Sequence, residues 1–196
     1  MRDLAILTFQ TLDGVIQGPS TPDEDRSGGF DLGGWAAPFW ELVMDQVRVE
    51  AMADPYDMLF GRKTYDMFAA YWSNADESDP AAQRMNAASK FVVTRSATPD
   101  LPWQNSTAIQ TDVPAEVARL KAMNGPLLQI HGSGALIQTL LAHDLIDEMR
   151  LWTFPLVLGT GKRLFAGGSR PTAFTLVKTA PTGNGVVMSK YRRQTE

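Results

Sequence analysis

Short apolar runs bounded by turn-forming residues recur along the chain, and between most of them lie stretches whose apolar positions are spaced three and four apart. The most legible run begins at Pro126. Leu127, Leu128 and Ile130 sit between Asn124-Gly125-Pro126 and Gly132, which predicts a covered parallel strand over 127–130. Leu136, Ile137, Leu140 and Leu141 then recur at helical spacing, so a helix starts near Gly134. Upstream, residues 4–9 are β-compatible, and Asp13-Gly14 bends the chain before Val15-Ile16. Residues 18–37 shift to Gly, Pro, Ser and Asp and predict a long mobile loop, closed by Trp35, Phe39 and Trp40.

Residues 38–53 predict a helix with Pro38 in its first turn and Leu42, Val43 and Val47 on its apolar stripe. Glu41, Asp45 and Arg48 share the opposite face. A short strand over 58–60 turns at Gly61 into a helix carrying Tyr65, Phe68 and Ala69. Asp79-Pro80 caps a short helix ending before Lys90, strands are expected at 91–93 and 107–109, and Asp112 caps a helix through Met123. Residues 149–158 read as one long strand, whose Pro155 implies an edge position or a bulge. Residues 174–179 and 186–191 form a terminal hairpin across Pro181-Thr182-Gly183-Asn184-Gly185. The sum is a single α/β domain over 1–196, with a mainly parallel mixed sheet, helices on both faces and an antiparallel C-terminal hairpin.

Composition narrows the chemistry. With no cysteine among 196 residues, disulfides, thiolate metal sites and thiol nucleophiles are excluded. A net charge of -4 argues against a nucleic-acid partner, and no apolar run approaches the roughly 18 residues a membrane span needs. The chain enters its first strand without a signal-peptide pattern, so a cytoplasmic location is expected. The only histidines, His131 and His143, lack paired ligand spacing and read as structural, so no metal is expected.

Three strand ends carry anion-binding chemistry: Gly61-Arg62-Lys63-Thr64, Thr94-Arg95-Ser96 and Gly132-Ser133-Gly134. In an open parallel sheet such ends face one crevice, where free helix N–H groups take phosphates. Arg62, Lys63 and Arg95 suit a further phosphate, such as a ribose 2′-phosphate, which favours NADPH over NADH. A standard Rossmann site is a poor fit, because Gly132-Ser133-Gly134-Ala135-Leu136-Ile137 lacks the third glycine. Gly159-Thr160-Gly161-Lys162-Arg163 fails as a P-loop, and no Gly-x-Ser-x-Gly elbow is present. Trp35 and Phe39 are read either as one wall of a ligand site or as anchors that pin the loop.

Leu12-Asp13-Gly14, Leu59-Phe60-Gly61-Arg62-Lys63-Thr64-Tyr65, the strand ending in Thr94-Arg95-Ser96, Gly132-Ser133-Gly134, Leu145-Ile146-Asp147-Glu148 and Pro155-Leu156-Val157-Leu158-Gly159-Thr160-Gly161 stand in one order. This ordered set resembles the dihydrofolate reductase-like superfamily. It is most similar to the reductase domain of bacterial bifunctional riboflavin-biosynthesis deaminase-reductases and its free-standing relatives. The resemblance implies a three-layer fold and NADPH-dependent hydride transfer to a small heterocyclic substrate. It places Gly61, Arg62, Lys63 and Thr64 at the pyrophosphate and adenosine-side phosphates, with Thr94, Arg95 and Ser96 at the 2′-phosphate. Gly132, Ser133, Gly134, Ala135 and Leu136 would line the pyrophosphate and nicotinamide, and Ile16 would touch the nicotinamide ring.

For the acceptor, the resemblance singles out Asp13 and Gly14 of the first loop, where Asp13 either forms the turn or contacts substrate. Asp45 is the nearest counterpart of the carboxylate that assists protonation in folate-reducing relatives, with Glu41 behind it; a merely solvated helix face is the alternative. Related proteins imply a homodimer through residues 149–158 and the hairpin. Reduction of dihydrofolate, a carbonyl or a quinone, and nucleotide binding without turnover, remain the alternative functions.

Overall fold

The strand expected from the 127–130 run lies in the middle of the parallel part of the sheet. In the computed structural model, which describes residues 1–167 and 169–194, it spans Leu127–His131 and is β5 in chain order. It follows β1 (Leu4–Thr11), α1 (Trp40–Ala51), β2 (Tyr56–Gly61), α2 (Arg62–Trp72), α3 (Pro80–Ala87), β3 (Lys90–Val93), β4 (Ser106–Ile109) and α4 (Val113–Ala122). After it come α5 (Gly134–Ala142), β6 (Glu148–Phe154), β7 (Phe174–Pro181) and β8 (Val187–Arg193). The eight strands run in the order β4-β3-β2-β5-β1-β6-β8-β7. Strands β1 to β6 are mutually parallel, and the hairpin β7–β8 joins antiparallel along β6.

Alternation along β5 supplies both faces of the sheet. Leu128 and Ile130 are fully buried on one side, with Val117 and Leu120 of α4 and Leu136, Ile137 and Leu140 of α5. On the other side lie Tyr56, Met58 and Phe60 of β2, covered by Val43 and Val47 of α1, Tyr65 and Ala69 of α2, and Met85 of α3. Gln129 and His131 point to this second side by the period of two. The expected caps form: the Asp79 carboxylate accepts from Ala81 N–H and Asp112 from Ala115 N–H.

Three expectations need correction. The strand over 149–158 stops at Phe154, because Pro155 has no N–H to continue a ladder; β6 is internal, between β1 and β8, and has neither the edge position nor the bulge. The irregularity sits in β7, between Leu176 and Lys178. The 18–37 segment is tied down, since Phe30 and Trp35 are buried and Trp35 Nε1 donates to Gln17 O at 2.8 Å. On α1 the buried stripe is Val43, Val47 and Ala51, while Leu42 is 44% exposed.

Because Ile130 is 0% exposed at the centre of the sheet, Ile130→Ala should lower unfolding free energy by about 2–5 kcal/mol in urea titration. Val49→Ala, on the exposed side of α1, should change it by less than about 0.5 kcal/mol. Equal losses at the two positions would contradict this assignment of the core.

Candidate active-site crevice

Strands β2 and β5 are hydrogen-bonded neighbours, yet the helices that follow them leave on opposite faces. At such a switch point the two connections diverge and leave a crevice beyond the strand carboxyl ends. The first N–H groups of α2 and α5 open at this place, which favours an anion.

Ser133 joins the two helix starts. It adopts a left-handed conformation, φ 66° and ψ 62°. Its Oγ accepts from Gly61 N–H at 2.8 Å, and its hydroxyl donates to Thr64 Oγ1 at 2.8 Å. Gly61 is closely packed, since a Cβ there would stand 3.1 Å from Ser133 Oγ. Gly134 is similarly constrained: a Cβ would meet Ile16 Cδ1 at 3.2 Å, which places Ile16 against the start of α5. Gly132 has φ 74° and supplies the turn between strand and helix. Ala135 is exposed and Leu136 is buried in the core.

The expected cations lie around this crevice. Arg62 pairs with Asp66 one turn later at 2.8 Å, and Lys63 is 85% exposed with its Nζ 3.9 Å from Asp25. At the end of neighbouring β3, Thr94 is buried and its Oγ1 accepts from Ser96 N–H at 3.2 Å. Arg95 and Ser96 are exposed there.

Several proposed acceptor residues are committed elsewhere. Asp13 accepts from the Thr11 hydroxyl at 2.6 Å, from the N–H groups of Gly159 and Leu158, and from Arg163. The Thr11 bond and these further donors hold its carboxyl well below the usual range, so it clamps the first loop to the loop after β6. Gly14, with φ 79°, completes that turn. Trp35 is an anchor edge-on to Phe154 at 5.1 Å, and half-buried Phe39 meets the same ring at 5.5 Å. Trp40 is 36% exposed and braced edge-on by Phe9 at 5.7 Å.

Asp45 faces away from the sheet. Its side chain is 63% exposed and pairs with Arg48 at 2.7 Å, because positions 43 and 47 take the buried side of α1. Glu41 is exposed as well, so neither carboxylate is brought to the crevice.

His131 is the residue that sequence spacing did not single out for function. It ends β5 directly before Gly132, pairs with Leu7 of β1, and is 6% exposed. Its ring lies among Tyr56, Phe60 and Phe68 at 5.8, 6.3 and 5.8 Å. Burial, aided by the charge of Arg150, pushes its pKa down to about 4, so the imidazole is neutral at physiological pH. The signal lay in the alternation of Gln129 and His131 within an apolar strand. Among the described residues, no cluster of His, Asp and Glu is placed to hold a metal, and no helix is long and apolar enough to cross a membrane.

The pattern that defines the RibD C-terminal domain matches residues 3–188. The chain belongs to the RibD C-terminal domain family. YyaP, an uncharacterized protein of Bacillus subtilis (strain 168), is 28% identical over 193 residues, covering 96% of this chain and 92% of YyaP. A protein from Shewanella sp. PV-4 named for riboflavin biosynthesis superposes with a TM-score of 0.65 at 23% identity, with both chains covered completely. Dihydrofolate reductase from Enterococcus faecalis, complexed with NADP(H) and RAB-propyl, gives 0.63 at 15% identity over 98% of this chain and 97% of that one. These two likenesses show that the RibD C-terminal domain here has the dihydrofolate reductase-like fold.

The loop that flanks the crevice is held by charge. Burial of Asp25 would raise its pKa, but Lys162 at 2.6 Å and the hydroxyl and N–H of Ser27 outweigh this and bring it down to about 2. A carboxylate depressed in the folded state stabilises above its unfolded pKa and loses that contribution as pH falls through the folded value. Asp25→Asn should therefore lower the thermal midpoint at pH 6 and erase part of the loss that wild type shows between pH 4 and pH 2. Parallel pH curves for the two proteins would contradict the ion pair's role.

Proposed function

We propose that this protein is an NADPH-dependent oxidoreductase that reduces a C=N or C=O group of a small heterocycle. The aminopyrimidine of riboflavin biosynthesis, 5-amino-6-(5-phosphoribosylamino)uracil, is the type of acceptor. The observation that carries the reading is the convergence of two helix N-termini on one crevice, fastened by Ser133 and flanked by Arg62, Lys63 and Arg95. Family membership and the NADP(H) complex of a reductase with the same fold support it.

The residues fit a dinucleotide. Gly61 and Gly134 let Ser133 and Ile16 pack closely on the backbone at the two helix starts, and the first N–H groups of α2 and α5 are those that would take phosphates. In this reading Gly61, Arg62, Lys63 and Thr64 take one side of the pyrophosphate, and Gly132 to Leu136 take the other. Arg95, with Thr94 and Ser96, takes the 2′-phosphate. Reduced nicotinamide supplies the hydride when bound. Ile16 packs on that ring, and the acceptor lies on the side of the sheet covered by α1 and α2, near His131, Phe9 and Trp40. The protein's work is positioning and water exclusion, with no carboxylate at the reacting atoms.

We place the protein in the cytoplasm as a homodimer that uses a small-molecule substrate. Binding of NADPH without oxidation across a panel of aminopyrimidines, dihydrofolate, carbonyls and quinones would favour a nucleotide-binding homologue instead.

Tryptophan-fluorescence titration should show tighter binding of NADPH than of NADH. Arg95→Ala should weaken NADPH by about tenfold, the loss of one charge-assisted phosphate contact, while leaving NADH within about twofold. Equal losses for both cofactors would refute the phosphate assignment. Asp45→Asn should leave the rate of NADPH oxidation within about twofold, since its side chain points to solvent. A fall of a hundredfold would restore Asp45 as the proton-handling group.

A further inference from the structure

Three buried polar atoms on one face of β2 and β5 have no protein hydrogen-bond partner: Tyr56 Oη, Gln129 Oε1 and His131 Nε2. Their residues are 3%, 1% and 6% exposed. Gln129 and His131 are two apart on β5 and so share a face, and Tyr56 on adjacent β2 faces the same side with its ring 5.8 Å from that of His131. The other end of the Gln129 amide is fixed, with Nε2 donating to Ala51 O at 2.7 Å, so its oxygen stays turned inward.

Buried polar groups left unmade are costly, and three of them on one buried sheet face, two with rings 5.8 Å apart, call for a polar partner. We propose that Tyr56, Gln129 and His131 enclose an internal water site beneath the crevice, and that this water fixes the orientation and tautomer of the His131 imidazole. The chemistry of the three atoms is complementary around water. Gln129 Oε1 only accepts, Tyr56 Oη donates or accepts, and His131 Nε2 takes whichever role its tautomer sets. A buried water typically makes about three such bonds. Tyr56 thereby becomes a positioning residue for His131, the neutral imidazole that the proposed function sets beside the acceptor. That last clause rests on the reductase reading; the water site does not.

The groups facing His131 agree with a neutral, hydrated imidazole. Arg150, from β6, is the charge that acts on it; its guanidinium donates to Glu148 and to Glu50 O. Its aromatic neighbours are the rings of Tyr56, Phe60 and Phe68. Arg84 is the charge felt by Tyr56, whose hydroxyl burial keeps protonated. A water molecule is the small polar partner that such an apolar surround admits without a counter-charge.

The experiment is Tyr56→Phe, which removes one oxygen and keeps the ring, read on the whole 196-residue chain without cofactor or acceptor. If the hydroxyl anchors a water, the thermal midpoint falls by about 2–4 °C. In protein labelled with 15N-histidine, His131, separated from His143 by a His143→Gln variant, should show one fixed neutral tautomer in wild type and tautomer averaging in Tyr56→Phe. Gln129→Met should produce the same change in the His131 signals. A raised or unchanged midpoint, or His131 signals unaffected by both substitutions, overturns the proposal. The reductase reading fails separately, by absence of NADPH binding to the wild-type protein.

Discussion

The position of β5 between β2 and β1 is the constraint on which the rest depends. From there the chain crosses over β1 to β6, whereas β2 leads to β3 in the other direction, and right-handed crossovers in opposite directions send α2 and α5 to opposite faces. Two helix N-termini are thereby left open at one crevice, and Ser133 closes the gap between them with a hydroxyl that serves Gly61 and Thr64 together. A side chain at Gly61 would crowd Ser133, so glycine there lets the hydroxyl sit directly on the backbone at the start of α2. Fold and candidate site share a single origin in strand order.

The periphery of the crevice is built from paired charges. Asp13 ties the first loop to residues 158, 159 and 163, and Asp25 ties the next loop to Lys162. Both carboxylates are thus fully engaged in positioning loops, and Asp45 is engaged with Arg48 in solvent. His131 is held as a neutral imidazole, so it can orient a neighbouring group by hydrogen bonding but is not a proton donor at neutral pH. Its neutrality follows from burial among aromatic rings beside Arg150.

Much of this was legible from the chain because the signals were local. The strand at 127–130, the Asp79 and Asp112 caps and the three glycine- or threonine-marked strand ends depend on neighbours in sequence. What was missed depends on neighbours in space. Pro155 reads as a feature within a strand until β8 is seen to pair beside β6, where a missing N–H ends the ladder. Asp45 reads as a site acid until Val43 and Val47 are seen to take the buried side of α1. The burial of His131 beside Tyr56 depends on the sheet face and not on any motif, so spacing alone shows only a histidine without paired ligands. Trp35 and Phe39 could not be sorted into wall or anchor until Phe154 was placed against both.

The central claim is that the crevice between α2 and α5 holds the phosphates of a dinucleotide, and 31P NMR of NADPH tests it most directly. Added protein should shift and broaden the pyrophosphate and 2′-phosphate resonances together. Lys63→Glu, an exposed change at the start of α2, should sharply reduce the pyrophosphate shifts while the protein keeps its fold by circular dichroism. Unshifted phosphorus signals with wild-type protein, or undiminished shifts with Lys63→Glu, would contradict the account.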